Sequence, residues 1–164
     1  MRLLRTAAAA GAAMLALAAC DSGDGERRCT AIGSMPGLSV VVPDGSRVAS
    51  ASLRVCWGGA CQDPRIELTP TSKTVSDGCE GDDPDDVCGA HAVPDGGKSG
   101  FARVGDLPKT PVQVTLKLRD AAGRNYFSKS LDVTPRATFP NGPHCGEGDP
   151  QAVLTVANGQ VTVR

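Results

Sequence analysis

The sequence predicts an all-β fold, an antiparallel β-sandwich stapled by disulfides, behind an N-terminal helical export signal. Three observations predict it. Apolar and polar residues alternate in successive runs, as in Val112, Val114, Leu116 and Leu118 against Gln113, Thr115 and Lys117. A period of two puts one face of a strand in a core and the other in water. Turn signals rich in Gly, Pro, Asn and Asp separate these runs at short intervals, with no convincing helical pattern after the first 19 residues. Six cysteines follow residue 28, an even set that reads as three disulfides in an exported chain.

Residues 1–19 read as a signal peptide. Arg2 and Arg5 give a positive start, and Thr6 to Ala19 is an uncharged run rich in Ala and Leu. The run is shorter than the roughly 20 residues a membrane-spanning helix needs. It ends in Leu17-Ala18-Ala19-Cys20. That stretch resembles the lipobox of bacterial lipoproteins. The resemblance implies that the Cys20 thiol takes a diacylglyceryl group and that cleavage before Cys20 makes it the N-terminus. It also implies attachment to the outer face of the cell membrane. Two acyl chains hold lastingly where one binds marginally, at about 0.8 kcal/mol per buried methylene. A plain secretion signal is the rival reading, but it leaves Cys20 as an odd seventh thiol. The Ala, Gly and Arg bias resembles that of surface lipoproteins from high-GC Gram-positive bacteria. Residues 20–28 then form a lipidated linker, polar and without apolar period. Its eight residues after Cys20 span at most about 28 Å. Residues 29–164 are left as one sandwich domain close to the membrane.

The strands follow in order. Leu38 to Val42 is a short β-branched run closed by the turn Pro43-Asp44-Gly45. From Ala49 to Trp57, Ala51, Leu53, Val55 and Trp57 alternate with Ser52, Arg54 and Cys56. Gly58-Gly59 suits a two-residue hairpin turn. Such a turn makes Cys56 and Cys61 a non-hydrogen-bonded pair about 4.5 Å apart at Cα, within disulfide range. The alternative is that Cys56 reaches another sheet. Trp57 reads as a core or hairpin residue. Arg65 to Leu68 reads as a further short strand ended by Pro70, and Asp77 to Gly97 as a loop whose acidic tip Cys79 and Cys88 would close. Phe101 and Val104 lead toward Val112 to Leu118, the turn Asp120-Ala121-Ala122-Gly123, and a return strand from Tyr126 to Val133. This arrangement resembles the late hairpin of immunoglobulin-like and fibronectin-like domains, without the tyrosine and tryptophan landmarks of true immunoglobulins. Pro135 to Pro150 has no strand pattern and holds Cys145. Asn158-Gly159, between Val153–Val156 and Val161–Val163, signals a final hairpin. Six cysteines allow fifteen pairings; if the two local bridges form, Cys29 and Cys145 remain for each other.

Charge and motifs exclude more than they assign. Loss of residues 1–19 removes two arginines and no acid, which leaves 15 basic and 18 acidic residues. Nucleic acid selects a basic face and is not an expected partner. Ala92 to Ser99 fits a relaxed phosphate-loop pattern, with Ala for the first Gly. The mechanism needs a strand before the loop and a helix after it. Here a strand is expected to follow, so no nucleotide is expected. Asp77, Glu80, Asp82, Asp83, Asp85 and Asp86 crowd one stretch. Calcium takes six to eight oxygens, but Pro84 interrupts the spacing, and a solvated acidic loop is the plainer reading. His91 and His144 lie close to Cys88 and Cys145, yet the short paired Cys-x-x-Cys spacings of zinc sites are missing. No metal or cofactor is expected. There is no Gly-x-Ser-x-Gly elbow, no His-Glu-x-x-His and no papain-like cysteine setting. The expectation is a non-catalytic, lipid-anchored binding or accessory module with a protein or envelope partner. The loop of residues 77–97 is its candidate surface. A structural envelope lipoprotein, or a hydrolase without a recognisable motif, is the alternative.

Overall fold

Ten strands and one 3-10 turn, at Gly45–Arg47, make up the regular structure among the residues that the computed structural model describes, which are 29–81, 83 and 85–164. The expected signal peptide, the Cys20 lipidation site, the linker to residue 28 and Asp82 lie outside the described residues. The strands form two sheets. In the first, β10 (Gln160–Val163), β9 (Pro150–Ala157), β1 (Gly37–Val42), β5 (Cys88–Arg103) and β4 (Thr69–Cys79) lie side by side. The short β8 (Arg136–Ala137) also pairs with β9, and the sheet curls into a half-barrel. The second sheet runs β3 (Ala60–Gln62), β2 (Ser50–Trp57), β6 (Val112–Arg119) and β7 (Asn125–Val133).

One core joins them. Leu38, Val40 and Val42 of β1 and Ala152, Leu154 and Val156 of β9 face Leu53 and Val55 of β2 and Val112, Val114, Leu116 and Leu118 of β6. Each of these sets is spaced by two, the pattern that marked the strands in sequence. Trp57 packs, partly buried, against this cluster. Valine and leucine do almost all the filling. Truncating a buried leucine such as Leu116, which is 0% exposed, costs about 2–5 kcal/mol in cores of this kind.

Two turns follow from residue chemistry. Gly58 and Gly59 have φ of +56° and +80°, and Asn158 and Gly159 have +51° and +72°. Successive left-handed residues match the right-handed twist of flanking strands, which is why such pairs close tight hairpins. The first turn sets Trp57 opposite Ala60 and Cys56 opposite Cys61. Cys56 and Cys61 are bonded, at a Cα separation of 4.0 Å. Cys79–Cys88 is the second local bridge, and Cys29 and Cys145 are also disulfide-bonded.

The following expectations are corrected. β1 pairs with β9 in parallel, so the first sheet is mixed and not antiparallel throughout. Arg65–Leu68 is not a strand: residues 63–68 are an irregular crossing from β3 to β4. Ile66 and Leu68 pack on the core, so their alternation comes from a segment draped over it. Of residues 77–97, only the described residues between Cys79 and Cys88 are loop; 77–79 and 88–97 are strand, the outer part of a long β4–β5 hairpin. Pro70 does not end a strand; it lies inside β4, at the edge of the sheet, where its missing N–H breaks no ladder. The stretch 135–150, without strand pattern in sequence, holds the two-residue β8 and delivers the first residue of β9.

Candidate functional site

β5 belongs to the body of the sheet only at its C-terminal end, where Lys98–Arg103 pair with β1. Before that point it pairs with β4 alone, through Ser72↔Pro94, Lys73↔Val93, Thr74↔Ala92, Val75↔His91 and Ser76↔Ala90. The result is a two-stranded arm. Most of its residues are exposed, with only Val75 and Val93 half-buried near its middle. A free two-stranded ribbon is marginal in water, so its ends need fastening. At the base, Thr71 Oγ1 donates to Asp95 Oδ1 at 2.5 Å, and the Gly97 N–H donates to the same oxygen at 2.9 Å. The Thr71 hydroxyl first, then the Gly97 N–H, hold the Asp95 carboxyl below the usual aspartate range. At the far end, the Cys79–Cys88 disulfide joins the last paired residues.

The six acidic residues singled out in sequence divide on this arm. Asp77 sits at a bulge and pairs with His91 Nδ1 at 2.6 Å. Beyond the disulfide, the Glu80 N–H donates to the Val87 carbonyl. Asp86 closes the tip, accepting from the Asp83 N–H at 2.6 Å while its own N–H donates to the Asp83 carbonyl at 3.0 Å. Asp83 and Asp85 are exposed. Asp82 is outside the described residues. Of the described acids, Glu80, Asp83, Asp85 and Asp86 thus lie beyond the disulfide at the tip, Asp77 lies on β4 before it, and the side chains of Asp77 and Asp86 have partners within the arm. Among the described residues, no three His, Cys, Asp or Glu side chains are grouped as a metal site. No lysine or arginine occurs between Lys73 and Lys98, so the tip is strongly negative. Val87 stands among these charges at 74% exposure.

Asp77 and His91 make an acid–imidazole pair, but no hydroxyl bonds the other ring nitrogen among the described residues. The thiols that would ligate zinc or attack a carbonyl are oxidised in pairs. The stretch resembling a phosphate loop, residues 92–99, runs through β5 itself, with strand on both sides and no helix after it.

No protein-family model, no curated protein and no solved structure matches this chain.

A second surface went unread in the sequence. The segments 32–36 and 138–150 meet: Ile32 N–H donates to Asn141 Oδ1, Asn141 Nδ2 donates back to the Ile32 carbonyl, and Gln151 Nε2 donates to the Met35 carbonyl. Two shallow cavities of about 520 and 380 Å³ lie along this seam. The signal was three isolated large apolar residues, Ile32, Met35 and Phe139, in stretches without strand pattern. At the opposite end of β1, Tyr126 borders a smaller cleft and stacks under the Arg47 guanidinium, 4.9 Å from its ring centre.

Proposed function

We propose that the chain is an exported lipoprotein, held on the outer face of the membrane through a lipid on Cys20, and that its sandwich is a non-catalytic binding or accessory module of the immunoglobulin or fibronectin kind. The single observation that carries the binding role is the stapled arm. A ribbon with few buried side chains adds little to the stability of a core, so a disulfide that keeps it standing points to contact with something outside the fold. Its acidic tip suits a partner, protein or envelope polymer, with a basic surface, since complementary charge speeds encounter and suppresses wrong partners. Oxidised cysteines support an extracytoplasmic place, and the Leu17–Cys20 motif supports the anchor. Two sheets over one Val/Leu core, with the late β6–β7 hairpin in the second, support the sandwich kind.

Two experiments test this reading. Crosslinking on intact cells should capture a partner with the wild-type chain and lose it when Ser72–Pro94 is replaced by an Asn-Gly turn. The same partner captured by the armless form would remove the arm from the function. Cys20→Ala should release the protein to the medium or leave it unprocessed. The variant found at mature size in detergent-extracted membranes would remove the anchor.

A further inference from the structure

The start of β1 carries a surface that the arm does not use. There β5, β1, β9 and β8 lie side by side, and their register sets Arg103, Gly37, Gln151 and Arg136 in one row. Residues directly opposite across a sheet share a face. One step along, Leu38, Ala102 and Ala152 are buried in the core, so the row faces outward. Phe101 shares this outer face, and its ring takes the room above Gly37: a Cβ at residue 37 would stand 2.5 Å from Phe101 Cζ. Met35, Phe101, Thr138, Pro140 and Gln151 surround the 380 Å³ cavity beside it.

This surface is both apolar and cationic. Six large apolar residues are exposed among the described residues; Ile32 at 57% and Met35 at 52% line the cavities here, and Phe139 at 47% lies in the chain between the cavity-lining Thr138 and Pro140. Arg103 and Arg136 are exposed, and neither forms an ion pair among the described residues. Of the nearby acids, Glu147 is taken by Lys109 at 2.5 Å, and Asp149 lines the adjoining cavity. Unpaired cations beside apolar side chains are what an anionic lipid interface attracts. The chain also keeps this surface close to a bilayer. Eleven residues lie between Cys20 and Ile32, a reach of at most about 40 Å when fully extended. A tether of that length raises the effective concentration of bilayer at the first residues of the fold.

We propose that this end of the sandwich rests on the outer leaflet, with Ile32, Met35 and Phe139 in the interfacial layer and Arg103 and Arg136 against anionic headgroups. The proposal rests on the lipid-anchored reading. It also gives the arm a direction. β5 runs from Cys88 at the acidic tip to Arg103 at the membrane, up to about 50 Å at strand spacing, so the negative tip stands away from negative lipid.

The test uses the full mature chain purified from membranes and reconstituted into vesicles. One set is phosphatidylcholine alone and the other contains one-third phosphatidylglycerol. Hydroxyl-radical labelling is read by peptide mass spectrometry. Met35 is the single methionine after residue 19, and Tyr126 at the other end of β1 is the reference for intact folding. Met35 labelling should fall at least threefold on phosphatidylglycerol vesicles, with Tyr126 unchanged. The Arg103→Glu, Arg136→Glu double variant should stay on both vesicles yet lose the Met35 protection. Equal Met35 labelling on both vesicles, with the chain retained on both, overturns the docking surface and leaves the anchor standing. A chain washed off both vesicles overturns the anchor and the docking together. Met35 protection that rises with protein concentration without lipid assigns the surface to a second copy and overturns the lipid proposal.

Discussion

Gly37 and Asp95 show how single residues shape this molecule. At residue 37 any side chain meets both the Phe101 ring and the backbone carbonyl of Ala102. The ring can turn aside, but the carbonyl is fixed in the β1–β5 ladder. Gly37→Val should therefore destabilise by about 1–3 kcal/mol, the usual cost of overpacking, read as a lower urea midpoint at unchanged slope. Its Phe101 should also become more reactive to radical labelling. Asp95 makes a different prediction. Its folded pKa lies below its ordinary value, because Thr71 and the Gly97 N–H bond the charged form. A depressed carboxyl stabilises the fold above the unfolded pKa and loses that contribution as pH falls through the folded one. The base of the arm should hence loosen below about pH 4, seen as a shift of the Gly97 amide resonance that Asp95→Asn shows at every pH.

At the scale of elements, the β6–β7 hairpin and the β4–β5 arm contrast. β6 buries every second residue, Val112, Val114, Leu116 and Leu118, so its period was legible and its bounds came out close to those read. The arm buries almost nothing, so Ser, Thr, Ala and Gly replace the alternation and residues 77–97 read as loop. Only its closing cysteines were legible, because a disulfide is written in two residues rather than in a period. The arm's persistence should depend on that bridge. Cys79→Ser, Cys88→Ser should strip exchange protection from the amides of residues 72–93. The global melt should move little, because this segment contributes little to the core. A loss of more than about 3 kcal/mol, beyond what a small ring gives, would show the arm to be part of the folding core.

For the whole molecule, the fastening of two irregular stretches matters most, one ahead of β1 and one between β8 and β9. Cys29 and Cys145 are both disulfide-bonded, and the expected bridge between them would close a loop of more than 100 residues. On the chain-entropy account such a loop is worth about 4.7 kcal/mol before strain, a large share of the 5–15 kcal/mol typical of a domain. Cys29→Ser, Cys145→Ser should thus lose more stability in denaturant melts than the arm double variant. Non-reducing peptide mapping should recover the two residues in one linked pair; either cysteine linked to a different partner refutes the bridge.

What the sequence determined by itself was local. Alternation marked the strands that line the core, paired left-handed turn residues marked two hairpins, and the Gly58-Gly59 turn set the register that brings Cys56 to Cys61. Each of these follows from contacts between near neighbours in the chain. Only the tertiary structure decided that β1 lies between β9 and β5, parallel to one and antiparallel to the other. That order brings Met35, Phe101, Arg103 and Arg136 onto one surface and sends the arm away from it. No local pattern encodes such neighbours. They are chosen by the one sheet order in which the apolar faces of β1, β5 and β9 close over those of β2 and β6, because burial rewards apolar area wherever in the chain it comes from.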